Sequence, residues 1–262
     1  MTFSLETVNQ LVQHYFTALD GHTPIQPIAA LAPALTMAEG YQVQAAIVAE
    51  LQQRGLTIAG KKAAAVSATA QAKMKINEPI YGHLFDAYRV DNGATLAAGR
   101  LIQPYLECEL AFVLGRPLAG PQATVADVLA ATEAVVAAYD IIDFRTEGWQ
   151  PGLAEALCTN VYAVHFMLGD QPGNPTRLDL AQLNITLHKN GAPVTTASAG
   201  TIMGHPARSI AWMANKLAEH GRRFEAGEVA LTGAITSPHP LAPGDQFEAV
   251  FEGLGRLVVK FE

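Results

Sequence analysis

Leu106-Glu107-Cys108-Glu109-Leu110-Ala111-Phe112-Val113-Leu114 reads as a β-strand whose two faces differ. Successive side chains of a strand point to opposite sides, so Glu107, Glu109, Ala111 and Val113 share one face and Leu106, Cys108, Leu110 and Phe112 the other. Two carboxylates therefore stand side by side on a face that turns apolar. Like carboxylates this close repel unless a shared proton or a cation relieves them, and Mg2+ or Mn2+ prefers oxygen donors while keeping waters for a substrate to displace. The competing reading is a half-solvated strand end, the ordinary place for charged residues.

A third oxygen donor lies further on, in Val135-Val136-Ala137-Ala138-Tyr139-Asp140-Ile141-Ile142-Asp143. Asp140 sits inside an apolar run, where an unpaired carboxylate is costly, so it needs a partner: a cation, or backbone donors in a purely structural role. Asp143, followed closely by Arg145, reads as an ion pair that holds the loop.

Around these segments the chain changes texture. From Ser4, a plausible N-cap, the residues Leu5, Val8, Leu11, Val12, Tyr15, Phe16 and Leu19 recur at the spacing of one helix face. Pro24, Pro27 and Pro33 break that pattern, and Thr36 with Glu39 forms a capping box for a second helix running to Gly55. Beyond it, β-type runs alternate with turn signals: Ile102 to Leu114, Tyr162 to Leu168, Leu183 to His188 with the Asn190-Gly191 turn, Glu228 to Thr232, Phe247 to Phe251 and Arg256 to Phe261. Two helices interrupt them, one capped by Thr124 and Asp127 and passing through Val128, Leu129 and Val135, the other entered at Pro206 and stopped at Gly221. The order is no regular βαβ alternation, which predicts an α+β fold: a helical N-terminal part over residues 1–55 and a β-rich catalytic domain over 56–262.

Composition narrows the function. Half of the 262 residues are hydrophobic, enough for a sizeable core, and 17 Lys plus Arg against 24 Asp plus Glu give a formal charge of -7. Without a basic run, nucleic acid is not an expected partner. The start lacks the basic and apolar segments of a secretory signal, and no uncharged stretch is long enough to span a bilayer, so no membrane partner and a cytoplasmic location are expected. Cys108 and Cys158 have no CxxC spacing and read as small buried residues. The C-terminal glycines Gly233, Gly244, Gly253 and Gly255 read as backbone turns, since no GxGxxG or P-loop spacing accompanies them.

The Glu107-x-Glu109 pair followed by Asp140 in a later apolar strand resembles the metal site of the 2-keto-4-pentenoate hydratase and 4-oxalocrotonate decarboxylase family. Gly60-Lys61-Lys62 is similar to that family's Gly-x-Lys segment, Glu78-Pro79-Ile80-Tyr81-Gly82 to its Pro-x-Tyr/Phe-Gly turn, and Gly204-His205-Pro206 to a helix entry. Leu231-Thr232-Gly233-Ala234, Pro243-Gly244-Asp245 and Gly253-Leu254-Gly255 resemble its closing strands. The resemblance implies the fold of the fumarylacetoacetate hydrolase C-terminal superfamily, a β-rich body with surrounding helices, assembled as a homo-oligomer. It departs at three places. Asp140 stands where the family usually has Glu, leaving direct ligation or ligation through a water as two readings. Ala64-Ala65-Val66-Ser67 keeps only the serine of Gly-Leu-Thr-Ser, and Thr159-Asn160 keeps the amide but not the acid of an Asp-Asn pair.

The resemblance implies a lyase using Mg2+ or Mn2+ held by Glu107, Glu109 and Asp140, acting on a small 2-oxo or 2-hydroxy-dienoic acid. Two reactions fit: hydration of a 2-hydroxy-2,4-dienoate to a 4-hydroxy-2-oxo acid in aromatic meta-cleavage catabolism, toward which the reading leans, or decarboxylation of 4-oxalocrotonate. Carbon-carbon hydrolysis of an acylpyruvate wants a His-and-acid pair that the sequence does not offer. Lys62 is the candidate catalytic residue, a charged anchor or proton-transfer group, against the reading of a surface lysine beside Lys61. Ser67 either orients a substrate carboxylate or caps the next helix, and His205 fixes a turn more readily than it catalyses. Outside enzymology, the family's complexes between members leave a non-catalytic scaffold, or a complex with another pathway enzyme, as further readings.

Overall fold

The computed structural model describes residues 3–148 and 151–262. Three helices lead: α1 (Leu5–Gly21), the single-turn α2 (Ile28–Leu31) and α3 (Met37–Gln53). Ser4 accepts the Thr7 N–H (3.1 Å) to start α1, and Thr36 and Glu39 close the expected capping box of α3. Val8, Leu11, Tyr15 and Phe16 of α1 pack with Val43, Ile47 and Leu51 of α3 against Phe85 and Cys158 of the body. Leu5, expected on the apolar face of α1, is instead 75% exposed, so the buried stripe begins at Val8.

The body is built on two sheets. The larger contains β1 (Ile58–Ala64), β2 (Ile80–Phe85), β3 (Arg89–Val90), β5 (Pro104–Leu114), β6 (Thr132–Asp143), β7 (Ala163–Leu168), β10 (Val229–Leu231) and β11 (His239–Pro240). Its strand order is β2-β1-β10-β5-β6-β7-β3, with β11 also paired to β5. The smaller sheet runs β4 (Thr95–Leu96), β13 (Gly255–Phe261), β12 (Gln246–Phe251), β8 (Asn184–Lys189) and β9 (Ala192–Ser198). Four helices lie between strands: α4 (Ala68–Met74), α5 (Val125–Ala131), α6 (Leu153–Leu157) and α7 (Ala207–Ala218). This is the α+β body with surrounding helices that the sequence predicts. None of the described helices is long and apolar enough to cross a membrane.

The alternation in β5 places its faces as read. Leu106, Cys108, Leu110 and Phe112 join the main core with Leu187, Phe247, Ala249 and Leu257 of the smaller sheet. Ala111 on the opposite face joins a smaller cluster with Val136, Ala138, Phe166 and Leu231. The Asn190-Gly191 turn takes positive φ at both residues (52° and 80°), as a tight hairpin between β8 and β9 requires.

Two further expectations are corrected. The helix capped by Thr124 stops at Ala131, and Val135 belongs to β6. From Val135 onward β6 has cover on both faces and is buried throughout, so its apolar run carries no period to separate strand from helix. Asp143 and Arg145 do not form the expected ion pair. Asp143 holds its loop by accepting the backbone N–H groups of Ile102 (3.0 Å) and Gln103 (2.7 Å), while Arg145 donates to the Ala163 carbonyl (3.2 Å) and lies over the Tyr15 ring.

Candidate active site

Register brings the three acids together. Glu107 on β5 lies directly opposite Asp140 on β6, which puts both side chains on one face of the sheet, and Glu109 follows two residues along on the same side. One carboxylate oxygen from each residue lies within 4.8 Å of the others. Glu109 and Asp140 are completely buried, whereas Glu107 keeps partial access and lines a cavity.

Burial pushes the Glu107 carboxyl up to about 8, with the neighbouring Asp140 charge adding to the effect. Glu109 is held well above the usual carboxylate range by burial, then by the charges of Asp140 and Glu107, although it accepts the Gly233 N–H (2.8 Å). Asp140 is also raised by burial, even with a lysine beside it. Among the described residues, Glu109 Oε1 and Asp140 Oδ1 have no hydrogen-bond partner. An all-oxygen set with clustered, raised carboxyls and unmatched buried lone pairs fits a hard divalent cation such as Mg2+ or Mn2+.

Lys62 reaches this face through the sheet. It pairs with Leu231 of β10, which pairs with Ala111 of β5, and aligned residues across strands share a face. Its side chain is 1% exposed; the ammonium makes an ion pair with Asp140 and donates to the Val161 carbonyl (3.1 Å). The reading of Lys62 as a surface residue is thereby excluded. Lys61 points to the other face and is itself mostly buried, with its ammonium 2.5 and 2.6 Å from the Glu228 carboxylate oxygens.

The Val161 carbonyl is presented by an unusual backbone. Asn160, Val161 and Tyr162 all take left-handed φ values (53°, 54° and 59°), which is strained for a β-branched valine. Asn160 anchors the turn with its amide, which accepts the His83 N–H and donates to the His83 carbonyl, both at 2.8 Å. Thr159 donates to the Glu155 carbonyl (2.6 Å). The Thr159-Asn160 pair is thus tied to backbone.

A cavity of about 480 Å³ opens beside these groups. Lys62 and Glu107 form part of its wall; Met74, Ile80, Ile142, Phe144, Tyr162 and Ile235 make much of the rest apolar. Ser67 lines it too, and its hydroxyl accepts the Ala70 N–H (3.2 Å) as the N-cap of α4, which is the capping reading of this residue. His205 accepts the Ala207 N–H at Nδ1 (3.1 Å), which fixes the entry to α7, and it does not line the cavity. Cys108 and Cys158 are buried free thiols pushed up to about 12 by burial.

Two supporting groups escaped the sequence reading. Gly233 reads in the sequence as a turn and as part of a segment resembling a closing strand, with no sign that its N–H holds Glu109; its φ is +90°, and an added Cβ would lie 2.8 Å from Val66. The Val161 carbonyl has no signal in the sequence, because a backbone acceptor is set by conformation alone.

The fumarylacetoacetate (FAA) hydrolase C-terminal family matches residues 57–262. A 2-hydroxyhexa-2,4-dienoate hydratase of Comamonas testosteroni is 34% identical over 251 residues, 95% of each chain. A 4-oxalocrotonate decarboxylase of Pseudomonas sp. (strain CF600) is 35% identical over 261 residues, covering 99% of this chain and 98% of that one. The solved 4-oxalocrotonate decarboxylase from Pseudomonas putida G7, complexed with magnesium and adipate, superposes with a TM-score of 0.96 at 32% identity, covering 100% of this chain and 99% of that chain. A hydratase and a decarboxylase, both lyases, thus stand close together in likeness to the chain, at 34% and 35% identity.

Proposed function

Because the chain belongs to the fumarylacetoacetate (FAA) hydrolase C-terminal family, we propose that it is a divalent-metal-dependent lyase that hydrates a 2-hydroxy-2,4-dienoate to a 4-hydroxy-2-oxo acid in aromatic meta-cleavage catabolism. The observation that carries this reading is the convergence of Glu107, Glu109 and Asp140 on one sheet face, with Lys62 bound to Asp140 and a largely apolar cavity alongside.

Glu107, Glu109 and Asp140 would hold Mg2+ or Mn2+ directly, the short Asp140 side chain being brought into range by its register opposite Glu107. When bound, the cation supplies Lewis-acid stabilisation of negative charge growing on the 2-oxygen of a chelating 2-oxo acid. Lys62 lines the cavity with its amine fixed by two partners, which suits it to anchor the substrate or to give and take a proton at Nζ. Ser67 orients the substrate carboxylate from the α4 wall. The apolar residues around the chain of the substrate limit water to the polar end and strengthen the charge interactions there. Assembly as a homo-oligomer, and association with another enzyme of the pathway, belong to the same proposal.

Decarboxylation of 4-oxalocrotonate is the second reading. An apolar wall favours it, because a carboxylate that leaves as carbon dioxide loses its charge, and the transition state is less dependent on solvation than the bound acid. The test is a metal-dependent ultraviolet assay on freshly generated 2-hydroxypenta-2,4-dienoate and, in parallel, on 2-oxo-3-hexenedioate, for wild type and Glu107→Ala. Dienoate loss with 4-hydroxy-2-oxo acid formed, abolished in the variant, supports the hydratase. Carbon dioxide from the second substrate moves the assignment to decarboxylase. No turnover of either, with no cation bound at equilibrium, leaves the scaffold.

A further inference from the structure

The cavity wall contains a second cation that the proposed chemistry does not use. Among the described lining residues the only basic side chains are Lys62 and Lys73. Lys62 is committed to Asp140 and to the Val161 carbonyl. Lys73 is different: it lies in the last turn of α4, is exposed, and has no hydrogen-bond or ion-pair partner among the described residues. It lines the cavity while remaining open to solvent, which places it at the mouth. Met74 beside it in sequence also lines the cavity, as do Ser67, Thr69 and Ala70 on the same short helix.

A ligand whose 2-oxo-acid end is held beside Glu107 must extend its remaining carbons along the apolar wall. If those carbons end in a methyl or a hydrogen, Lys73 contributes nothing to binding. If they end in a carboxylate, that charge comes to the mouth of a largely apolar cavity, where Lys73 is the one cation among the described lining residues not already paired. We propose that Lys73 is a specificity-determining residue that pairs with the distal carboxylate, so that the site takes 2-oxo dicarboxylic acids in preference to monocarboxylic acids of the same length. The inference rests on the lyase reading of this same site. It also bears on the reaction. A carboxylate held in an ion pair is stabilised in its charged form and resists loss as carbon dioxide, so Lys73 favours addition of water to a dicarboxylate over decarboxylation at that end.

The test uses two inert ligands that share a skeleton and differ only at the far end, 2-oxoadipate and 2-oxohexanoate, both without the double bond that reacts. Their dissociation constants are measured by calorimetry on the full chain with Mg2+, for wild type, Lys73→Met and Lys73→Arg. Wild type is expected to bind the diacid about two- to fivefold tighter, the ratio falling to about one in Lys73→Met and recovering in Lys73→Arg, as one solvent-exposed ion pair is worth. Equal binding of the two acids by wild type overturns the proposal, and so does a diacid preference that survives Lys73→Met with its melting temperature unchanged. Failure of the lyase reading is separate: it appears as absence of turnover on the unsaturated substrates, whatever the ratio of the inert ones.

Discussion

With Lys62 and Asp140 both enclosed, removing the lysine leaves a buried carboxylate with no counter-charge. Lys62→Met is therefore expected to lower stability by about 3–5 kcal/mol near pH 8 in the presence of chelator. The loss should shrink at pH 5, because burial already raises Asp140 and a protonated acid needs no counter-charge. Urea midpoints at the two pH values check this, and an equal loss at both would place the cost in packing instead of charge. At this scale the sequence was informative where chemistry and pattern agreed. Glu107 and Glu109 were legible as a pair because strand alternation alone puts them side by side. Asp140 was legible because an acid in an apolar run demands a partner. The burial of Lys62 was not, since nothing in Gly60-Lys61-Lys62 says which of two adjacent lysines faces inward, and both prove to be covered.

Between strands, the element that sets the geometry is the contact of β1 with β10. A Cβ on Gly60 would lie 1.9 Å from the Val229 carbonyl oxygen, so only glycine allows the two backbones to approach. Gly60→Ala is expected to pry β1 from β10, costing about 1–3 kcal/mol or more as overpacking does, and to shift Lys62, two residues on, away from the acids. Loss of turnover with the far-ultraviolet spectrum retained would agree; full activity would refute the coupling. The Gly-x-Lys spacing was visible in the sequence, but its physical reason was not, because the strand that crowds Gly60 arrives from residues 229–231. Local pattern likewise failed at the join of α5 and β6. Caps mark where a helix begins, and Thr124 with Asp127 did so correctly, but the strand that follows is covered on both sides and so shows no alternation. Helix starts and one-sided strands are legible from near neighbours. Fully covered strands and close backbone contacts depend on distant parts of the chain.

For the molecule as a whole, stability should depend on pH in two opposed ways when no cation is supplied. Glu107, Glu109 and Asp140 have folded-state values raised above their ordinary ones, so their contribution is present at low pH and is lost as pH rises, for Glu107 between the usual carboxylate range and about 8. His83, buried beside Tyr81 and pushed down to about 3 by burial, acts in the other sense. Its contribution is present above the ordinary histidine value and falls with pH below it, by at most about 1.4 kcal/mol per pH unit. Thermal melts in EDTA should therefore give a stability maximum on the acid side of neutrality. Saturating Mg2+ should raise the melting temperature most near pH 8, where the clustered carboxylates are ionised and unrelieved, and least near pH 5. A metal effect that is flat across this range would mean that the cation binds elsewhere.

The order of strands in the larger sheet also fixes when the centre becomes whole during synthesis. The three acids lie on β5 and β6, neighbours in sequence and in space, and they are available once residue 143 has left the ribosome. Lys62 was made much earlier, and its strand β1 is joined to β5 within the sheet through β10, at residues 229–231. A growing chain can thus display the three acids long before the strand that aligns the lysine with them is made. β10 is inserted into that sheet between β1 and β5, so a truncated or stalled chain that never makes it lacks the strand that sets Lys62 in register with the acids.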